Sequence, residues 1–463
     1  MGKHLVVLIH GLWGNYKHMD TLKEVFEKTL KNKEDDSEEN NFIFFTPTEN
    51  ARFKTLDGIE LLGYRTLIEI SQFIEAKREI DVKISKISVL GYSLGGLIAR
   101  FVIGKMFTDC IEIYKNIEPI IFITLATPHV GVNFYNPNKT ALQSVLYSTL
   151  TLLGSNILGK SGSELFIKNS GNDIILRLST GDFIENLKKF KYRIVVANVK
   201  NDRTVAFYTS FISHCDPFIQ TGNNILYKFE KDIPNEHSYT EGIPNIVEMN
   251  ELDPMMKLPH YGESKPIPIR RLLFFGFAII IFLPVALILN IIASIYRSFA
   301  TRKYRRYINK GIASKFVRNK LGLGDIIRGY MEDAYDNLVV RGNDYSDVKE
   351  PLNNESTINS AIFSESDNEK IIWKNLIDKY SENWKSYNQN SYNEKFDHLP
   401  FDKNRIEIVN NLNALEWIKL PIYIRALNAH RSIAARNGIS NEVPNSVGTV
   451  QFIGELVNYL TNI

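Results

Sequence analysis

The chain has 463 residues, 44% of them apolar and 23% charged, enough for a real core in one large domain with insertions, or in two or three domains. A net charge of +3 gives nucleic-acid binding no support as the main task, so any basic patch has to be local. Two cysteines, Cys110 and Cys215, are too few for a disulfide framework and form no CxxC pair; neither a disulfide scaffold nor a thiol-held metal is expected.

The first element is "HLVVLI" (4–9), a continuous apolar run that reads as a buried strand. It is too short for the apolar part of a signal peptide, and Val6 stands where a myristoylation motif starting at Gly2 needs Ser or Thr. No leader and no N-terminal lipid are therefore expected. The run passes straight into His10-Gly11-Leu12-Trp13-Gly14. Charged "KNKEDDSEEN" (31–40) reads as a solvated loop and "NFIFFT" (41–46) as a second strand. Within 59–79, Leu61, Leu62, Ile68, Ile70, Phe73 and Ile74 mark an apolar helical face. Further strands are expected at "KISVLG" (86–91), "EPIIFITLA" (118–126), "YRIVVANV" (192–199) and "LPIYIRAL" (420–427). A helix is expected over 405–416, where Ile406, Val409, Leu412 and Leu415 recur at helical period. Apolar strands alternating with helices predict an α/β fold with a doubly wound, mostly parallel sheet. No internal repeat is visible.

Residues 86–100, "KISVLGYSLGGLIAR", join a strand to a helix through Gly91-Tyr92-Ser93-Leu94-Gly95. This is a G-x-S-x-G elbow in the context that gives it meaning. Glycines two before and two after the serine remove Cβ clashes from a sharp turn, and the following helix points its positive end at the hydroxyl. A serine that attacks a carbonyl needs two fixed donors for the oxyanion, and losing one costs about 10²–10³ in rate. Leu94 N–H, next after the nucleophile, is one candidate. Leu12 N–H is the other, with Gly11 and Gly14 letting the backbone approach and His10 shaping the loop.

Five segments, "HLVVLIHGLWGN", "LGYSLGGLIAR", "LATPHVG", "ANVKNDRTV" and "HRSIAAR", together resemble a eukaryotic family of serine esterases and lipases with the α/β-hydrolase fold. Within that family the likeness is greatest to the fungal lipid-droplet phospholipases. The resemblance covers roughly 1–215 and 395–435. It implies hydrolysis of acyl esters in lipids, with no metal and no organic cofactor.

In this fold the chain order is nucleophile, acid, histidine. The acid follows a late strand, and "YRIVVANVKND" ends its β run at Asn201-Asp202; the resemblance makes Asp202 the acid, with Asp216 as runner-up. Five histidines follow: His214, His237, His260, His398 and His430. His430 comes after the last strand-like run and opens the helical "HRSIAAR", the position of the catalytic base. His398 reads as a surface or packing residue. His129, in "LATPHVG", precedes the acid and reads as a histidine that holds the site's loops together.

Residues 270–297, "RRLLFFGFAIIIFLPVALILNIIASIYR", stand apart. As one helix, 272–296 would reach about 37 Å, long enough to span a bilayer. A single span would put His430 on the far side of the membrane from Ser93 and Asp202. Pro284 divides the run into halves of about 18 Å each, too short to cross the ~30 Å hydrocarbon core, so a re-entrant hairpin hinged at Pro284 is expected. Lys265, Arg270 and Arg271 before it, and Arg297, Arg302, Lys303, Arg305 and Arg306 after it, suit two ends on one cytoplasmic surface. A true span and a soluble apolar helix or lid remain the alternatives. "ALQSVLYSTLTLLGSNILG" (141–159) reads equally as a buried cap helix or an acyl-chain wall. "RGNDYSDVKEPLNNESTINSAIFSESDNEK" (341–370) has the composition of a disordered or surface insertion.

The expected organisation is an α/β-hydrolase core over 1–255 with a cap or lid at about 132–185, a membrane hairpin with basic flanks over 256–310, a helical and partly disordered insertion over 311–395, and the end of the core over 396–463. The expected function is a phospholipase or lysophospholipase at a lipid-droplet or endoplasmic-reticulum surface, its catalytic domain facing the cytoplasm. Its partners would be the glycerolipid and that membrane, with no nucleic acid and no protein partner. A monoacylglycerol lipase or a transacylase would use the same triad; a non-catalytic lipid-droplet tether would use none of it.

Overall fold

A continuous apolar strand needs cover on both faces, and that requirement sets the architecture. The computed structural model describes residues 2–30, 41–133, 135, 158–167, 173–220, 228–234, 239, 242–252, 295, 297–310, 365–389, 396–426 and 428–463. Among these, six strands form one sheet: β1 (Lys3–Ile9), β2 (Phe42–Phe45), β3 (Ile84–Tyr92), β4 (Glu118–Leu125), β5 (Tyr192–Asn198) and β6 (Ile418–Ile422). Their order is β2-β1-β3-β4-β5-β6, and every neighbouring pair is parallel. The order reverses between β1 and β3, so the carboxyl ends of those two strands border the crevice where parallel sheets of this kind receive ligands.

Successive side chains of each strand face opposite layers. Leu5, Val7, Ile9, Val89 and Val195 pack with α2 (Ile59–Glu79), α3 (Leu94–Met106), α4 (Gly181–Lys188) and α6 (Lys403–Asn413). Val6, Leu8, Leu90, Val196 and Leu420 pack on the other face. There they meet α1 (Asp20–Thr29), α5 (Glu365–Gln389) and α7 (Pro444–Asn462). The helix expected over 59–79 has those bounds. The one expected over 405–416 begins earlier, because the Asp402 carboxylate accepts the Arg405 N–H at 3.0 Å and starts it at Lys403.

Two expectations shift. The last strand is 418–422 rather than 420–427. Val199 N–H donates to Ile422 O (2.9 Å), after which Tyr423 N–H turns to Asn245 O (2.9 Å), so the apolar run continues after the ladder has ended. That same 245–247 segment bridges β6 at Ile422 and screens the edge of the sheet, where Pro421 could donate no ladder bond. The expected insertion over 311–395, with a loose stretch to residue 370, contains α5 from Glu365. Trp373, Leu376 and Tyr380 of α5 are buried in the sheet's own core, and the Trp373 ring stacks on Phe452 of α7 at 5.4 Å between centroids. The described part of that segment is therefore a layer of the fold.

Among the described residues no helix is long and apolar enough to cross a membrane. The run 272–294 with Pro284, most of the cap stretch 141–159, the charged loop 31–40 and 341–364 lie outside the described residues. Replacing Trp373 by alanine removes a ring buried against α7 and should lower stability by about 3–5 kcal/mol. Urea unfolding of Trp373→Ala against the wild type measures it, and a loss below about 1 kcal/mol would mean α5 is not part of the core.

Candidate active site

β3 ends at Tyr92 and α3 begins at Leu94, leaving Ser93 alone at the corner with φ 55° and ψ −127°. That strained conformation turns the side chain out of the sheet's edge. The corner closes because its neighbours have no Cβ. A Cβ on Gly91 would stand 2.4 Å from Gly96 Cα, and one on Gly95 only 2.2 Å from Ile9 O. Gly11 faces the same corner: its Cβ would meet Ser93 Cβ at 2.7 Å. The β1 loop and the β3 elbow thus touch backbone to backbone.

His430 sits in the single helical turn Ala429–Ser432 that follows β6. Its Nε2 lies 2.9 Å from Ser93 Oγ, and its Nδ1 lies 2.9 Å from Asp202 Oδ2. An ionised Asp202 can only accept, so Nδ1 carries the proton and Nε2 is left to accept from the serine hydroxyl. Asp202 follows β5, where Asn198 Nδ2 donates to its Oδ2 (2.9 Å) and the Thr204 and Val205 N–H groups donate to its Oδ1 (2.9 and 2.7 Å). Burial alone would raise the carboxyl pKa. The His430 ring, as nearby charge and hydrogen-bond donor, and the Val205 and Asn198 bonds outweigh it and hold the pKa below the ordinary 3.8. Ser93 and His430 are 6% and 7% exposed, so the relay lies largely out of water.

In the loop after β1, Trp13 N–H donates to Thr55 Oγ1 (3.0 Å) and Gly14 N–H to Gly11 O (3.1 Å). Leu94 N–H, the first of α3, has no intrahelical partner. His10 is buried and its Nδ1 donates to Gly11 O at 3.0 Å. Burial pushes its pKa down to about 4, with Arg436 and Arg52 adding to the effect, so His10 is a neutral brace of this loop.

His129 is fully buried beneath the site. Its Nε2 is 2.9 Å from Thr124 Oγ1, its carbonyl accepts from Arg100, and burial and the Arg100 charge hold its pKa well below the ordinary value. It ties β4 to the following loop. Asp216 is buried as well and accepts three backbone N–H groups, from Tyr208, Phe218 and Ile219. Burial still pushes its pKa up to about 7. Its oxygens are occupied in capping a turn, and it is Asp202 that pairs with His430. His214 bonds Asn410 and stacks on the exposed His398. His237 and His260 lie outside the described residues.

Two residues that sequence reasoning did not single out join the halves of the site. The Tyr92 hydroxyl donates to His430 O at 2.8 Å, holding that residue's backbone in place. Arg436 stands 5.8 Å from the Tyr92 ring centroid, and its Nη2 is 2.9 Å from His18 Nε2 in the segment after the β1 loop. Arg436 therefore contacts both the elbow tyrosine and the segment that follows the β1 loop. Tyr92 lies inside the elbow motif and Arg436 closes "HRSIAAR", so both were adjacent to recognised motifs.

Residues 1–217 match the family described as "Putative serine esterase (DUF676)". Over 232 residues the chain is 33% identical to "Putative lipase ROG1" of Saccharomyces cerevisiae, covering 50% of this chain and 30% of that protein. Over 219 residues it is 29% identical to "Putative lipase C4A8.10" of Schizosaccharomyces pombe, covering 45% of this chain and 26% of that protein. The matched stretch thus spans less than a third of these relatives' length. Among solved structures, a "Lipase-esterase related protein" from Clostridium acetobutylicum is 16% identical, with a TM-score of 0.24 over 45% of this chain and 79% of that one.

The depressed Asp202 pKa makes a signed prediction. A carboxylate whose folded pKa is lowered adds stability that is present above the unfolded pKa, and that stability is lost as pH falls through the folded value. Wild type should therefore lose stability relative to Asp202→Asn as pH falls below about 4, and gain on it as pH rises toward about 6. Urea unfolding of both proteins across that range reads the difference; a constant gap would mean Asp202 is not held ionised by the fold.

Proposed function

We propose that this chain is a serine hydrolase that cleaves acyl esters of glycerolipids, phospholipids and lysophospholipids first among them, at a lipid-droplet or endoplasmic-reticulum surface. The observation that carries this reading is the unbroken relay from Ser93 Oγ through His430 to Asp202, with both links at 2.9 Å. The elbow and the esterase family of residues 1–217 support it.

His430 Nε2 takes the Ser93 proton as Oγ attacks the ester carbonyl carbon. The tetrahedral oxyanion is held by the N–H groups of Leu12 and Leu94, both at the carboxyl edge where β1 and β3 end. The imidazolium, stabilised by Asp202, returns the proton to the leaving alcohol oxygen as the C–O bond breaks, leaving the acyl group on Ser93. Water then repeats the cycle, its proton passing to His430, and releases the fatty acid and the free serine. Neither metal nor organic cofactor enters these steps. The lipid substrate is favoured by the apolar run 272–296 with its basic flanks, which suits a protein that works at a membrane.

Purified full chain should release fatty acid from phospholipid or lysophospholipid in mixed micelles and take up a fluorophosphonate. Ser93→Ala should lose both, with hydrolysis down by about 10⁴-fold or more. Equal labelling and hydrolysis by the two proteins would overturn the proposal. Hydrolysis confined to monoacylglycerol, or acyl transfer to an added alcohol, would leave the triad in place and replace the substrate class.

A further inference from the structure

The residues that follow the apolar run are helical over 297–309, and this helix belongs to the catalytic core. Its inner face carries Ala300, Tyr304, Tyr307 and Ile308, at helical spacing; Ile308 is fully buried in the layer that holds α2 and α3, and the two tyrosines pack against it. Arg305 pairs with Glu60 in the first turn of α2 and hydrogen-bonds Tyr64 one turn on. In a parallel sheet the helix after a strand starts at the sheet's carboxyl edge, so Glu60 marks the edge on which Ser93 stands.

The outer face is unlike an ordinary protein surface. Ile295 is 58% and Phe299 69% exposed, four residues apart, and the same stripe continues through exposed Arg302 and Arg306. From 295 to 310 the sequence is "IYRSFATRKYRRYINK", six basic residues and no acid, in a chain whose net charge is only +3. Apolar side chains at one end and exposed guanidinium groups at the other, on a helix whose inner face is already committed, fit an interface between acyl chains and anionic headgroups.

We propose that the outer face of this helix, Ile295, Phe299, Arg302 and Arg306, is a contact surface for anionic phospholipid, rigidly coupled through Arg305, Glu60 and Tyr64 to the edge that carries Ser93. The surface sets how the catalytic edge meets the lipid, and it is separate from the anchoring expected of 272–294. The inference rests on the glycerolipid reading for its purpose, and its test does not.

A solvatochromic dye attached to a Phe299→Cys variant of the full chain, with vesicles of phosphatidylcholine with or without phosphatidylserine, tests it. A second dye site, Ile80→Cys, lies 64% exposed just past the C-terminal end of α2, at the opposite edge of the sheet, and serves as the control. Dye at 299 should shift to the blue on anionic vesicles and dye at 80 should not. Arg302→Glu with Arg306→Glu should weaken binding to the anionic vesicles by about tenfold or more, at roughly fivefold per basic residue near such a surface. Fluorophosphonate labelling and hydrolysis of a soluble short-chain ester should be unchanged. A dye at 299 that stays in water while the protein is vesicle-bound, or binding indifferent to both the arginines and phosphatidylserine, overturns the proposal. Failure of the hydrolase reading would appear elsewhere, as labelling that survives Ser93→Ala.

Discussion

His430 holds two side chains that the chain keeps far apart, Ser93 at 337 residues' separation and Asp202 at 228. Everything at the site depends on β6 lying beside β5, although the chain between Asn198 and Ile418 makes a long excursion first. Closing so long a loop costs entropy that grows only slowly with its length. Five ladder partners between β5 and β6, the bridge from 245–247 and the burial of α5 and α7 supply the compensating contacts. His430 is therefore only as well placed as the last strand, and the last strand is held by helices that come after and before it in sequence.

The backbone is strained around the Ser93–His430–Asp202 cluster. Trp13, Ser93, Ala126 and Asn201, each in the loop or corner that follows one of four strands, have positive φ, and they ring the carboxyl edge of the sheet. Such conformations cost about 1–3 kcal/mol each and persist only where surrounding structure over-determines them. Here it does: Ser93 is fixed by its N–H to Leu125 O at 2.8 Å and by the glycines that let β1, the elbow and α3 meet. Burial also sorts the polar residues by task. His10 and His129 are kept neutral and brace loops, while Asp202 gathers enough donors to stay charged at a buried position.

Much of this was legible in the sequence, because its signals are local. Five of the six strands lie within about two residues of their apolar runs, and the elbow is defined by glycines at fixed offsets from Ser93. Asp202 and His430 could be singled out because this fold puts its acid and base after late strands. The rest depends on tertiary approach. The end of β6 was misread because Ile424 is as apolar as the strand while its neighbours' backbone groups have changed partners. The bracket of Tyr92, Arg436 and His18 joins residues 418 positions apart at its widest, and spacing cannot reveal it. α5 hid behind its Asn- and Ser-rich approach, since a few aromatics at helical intervals read as core only once α7 is there to receive them.

The central claim is that Ser93, His430 and Asp202 act on one carbonyl carbon, with the Leu12 and Leu94 N–H groups on its oxygen. A crystal structure of the chain after reaction with an alkyl fluorophosphonate tests it most directly. The account predicts phosphorus bonded to Ser93 Oγ, the phosphoryl oxygen within hydrogen-bond reach of both N–H groups, and His430 Nε2 facing the remaining oxygen. Phosphorus on another residue, or an adduct at Ser93 with the His430 ring turned away and the phosphoryl oxygen in open solvent, would contradict it.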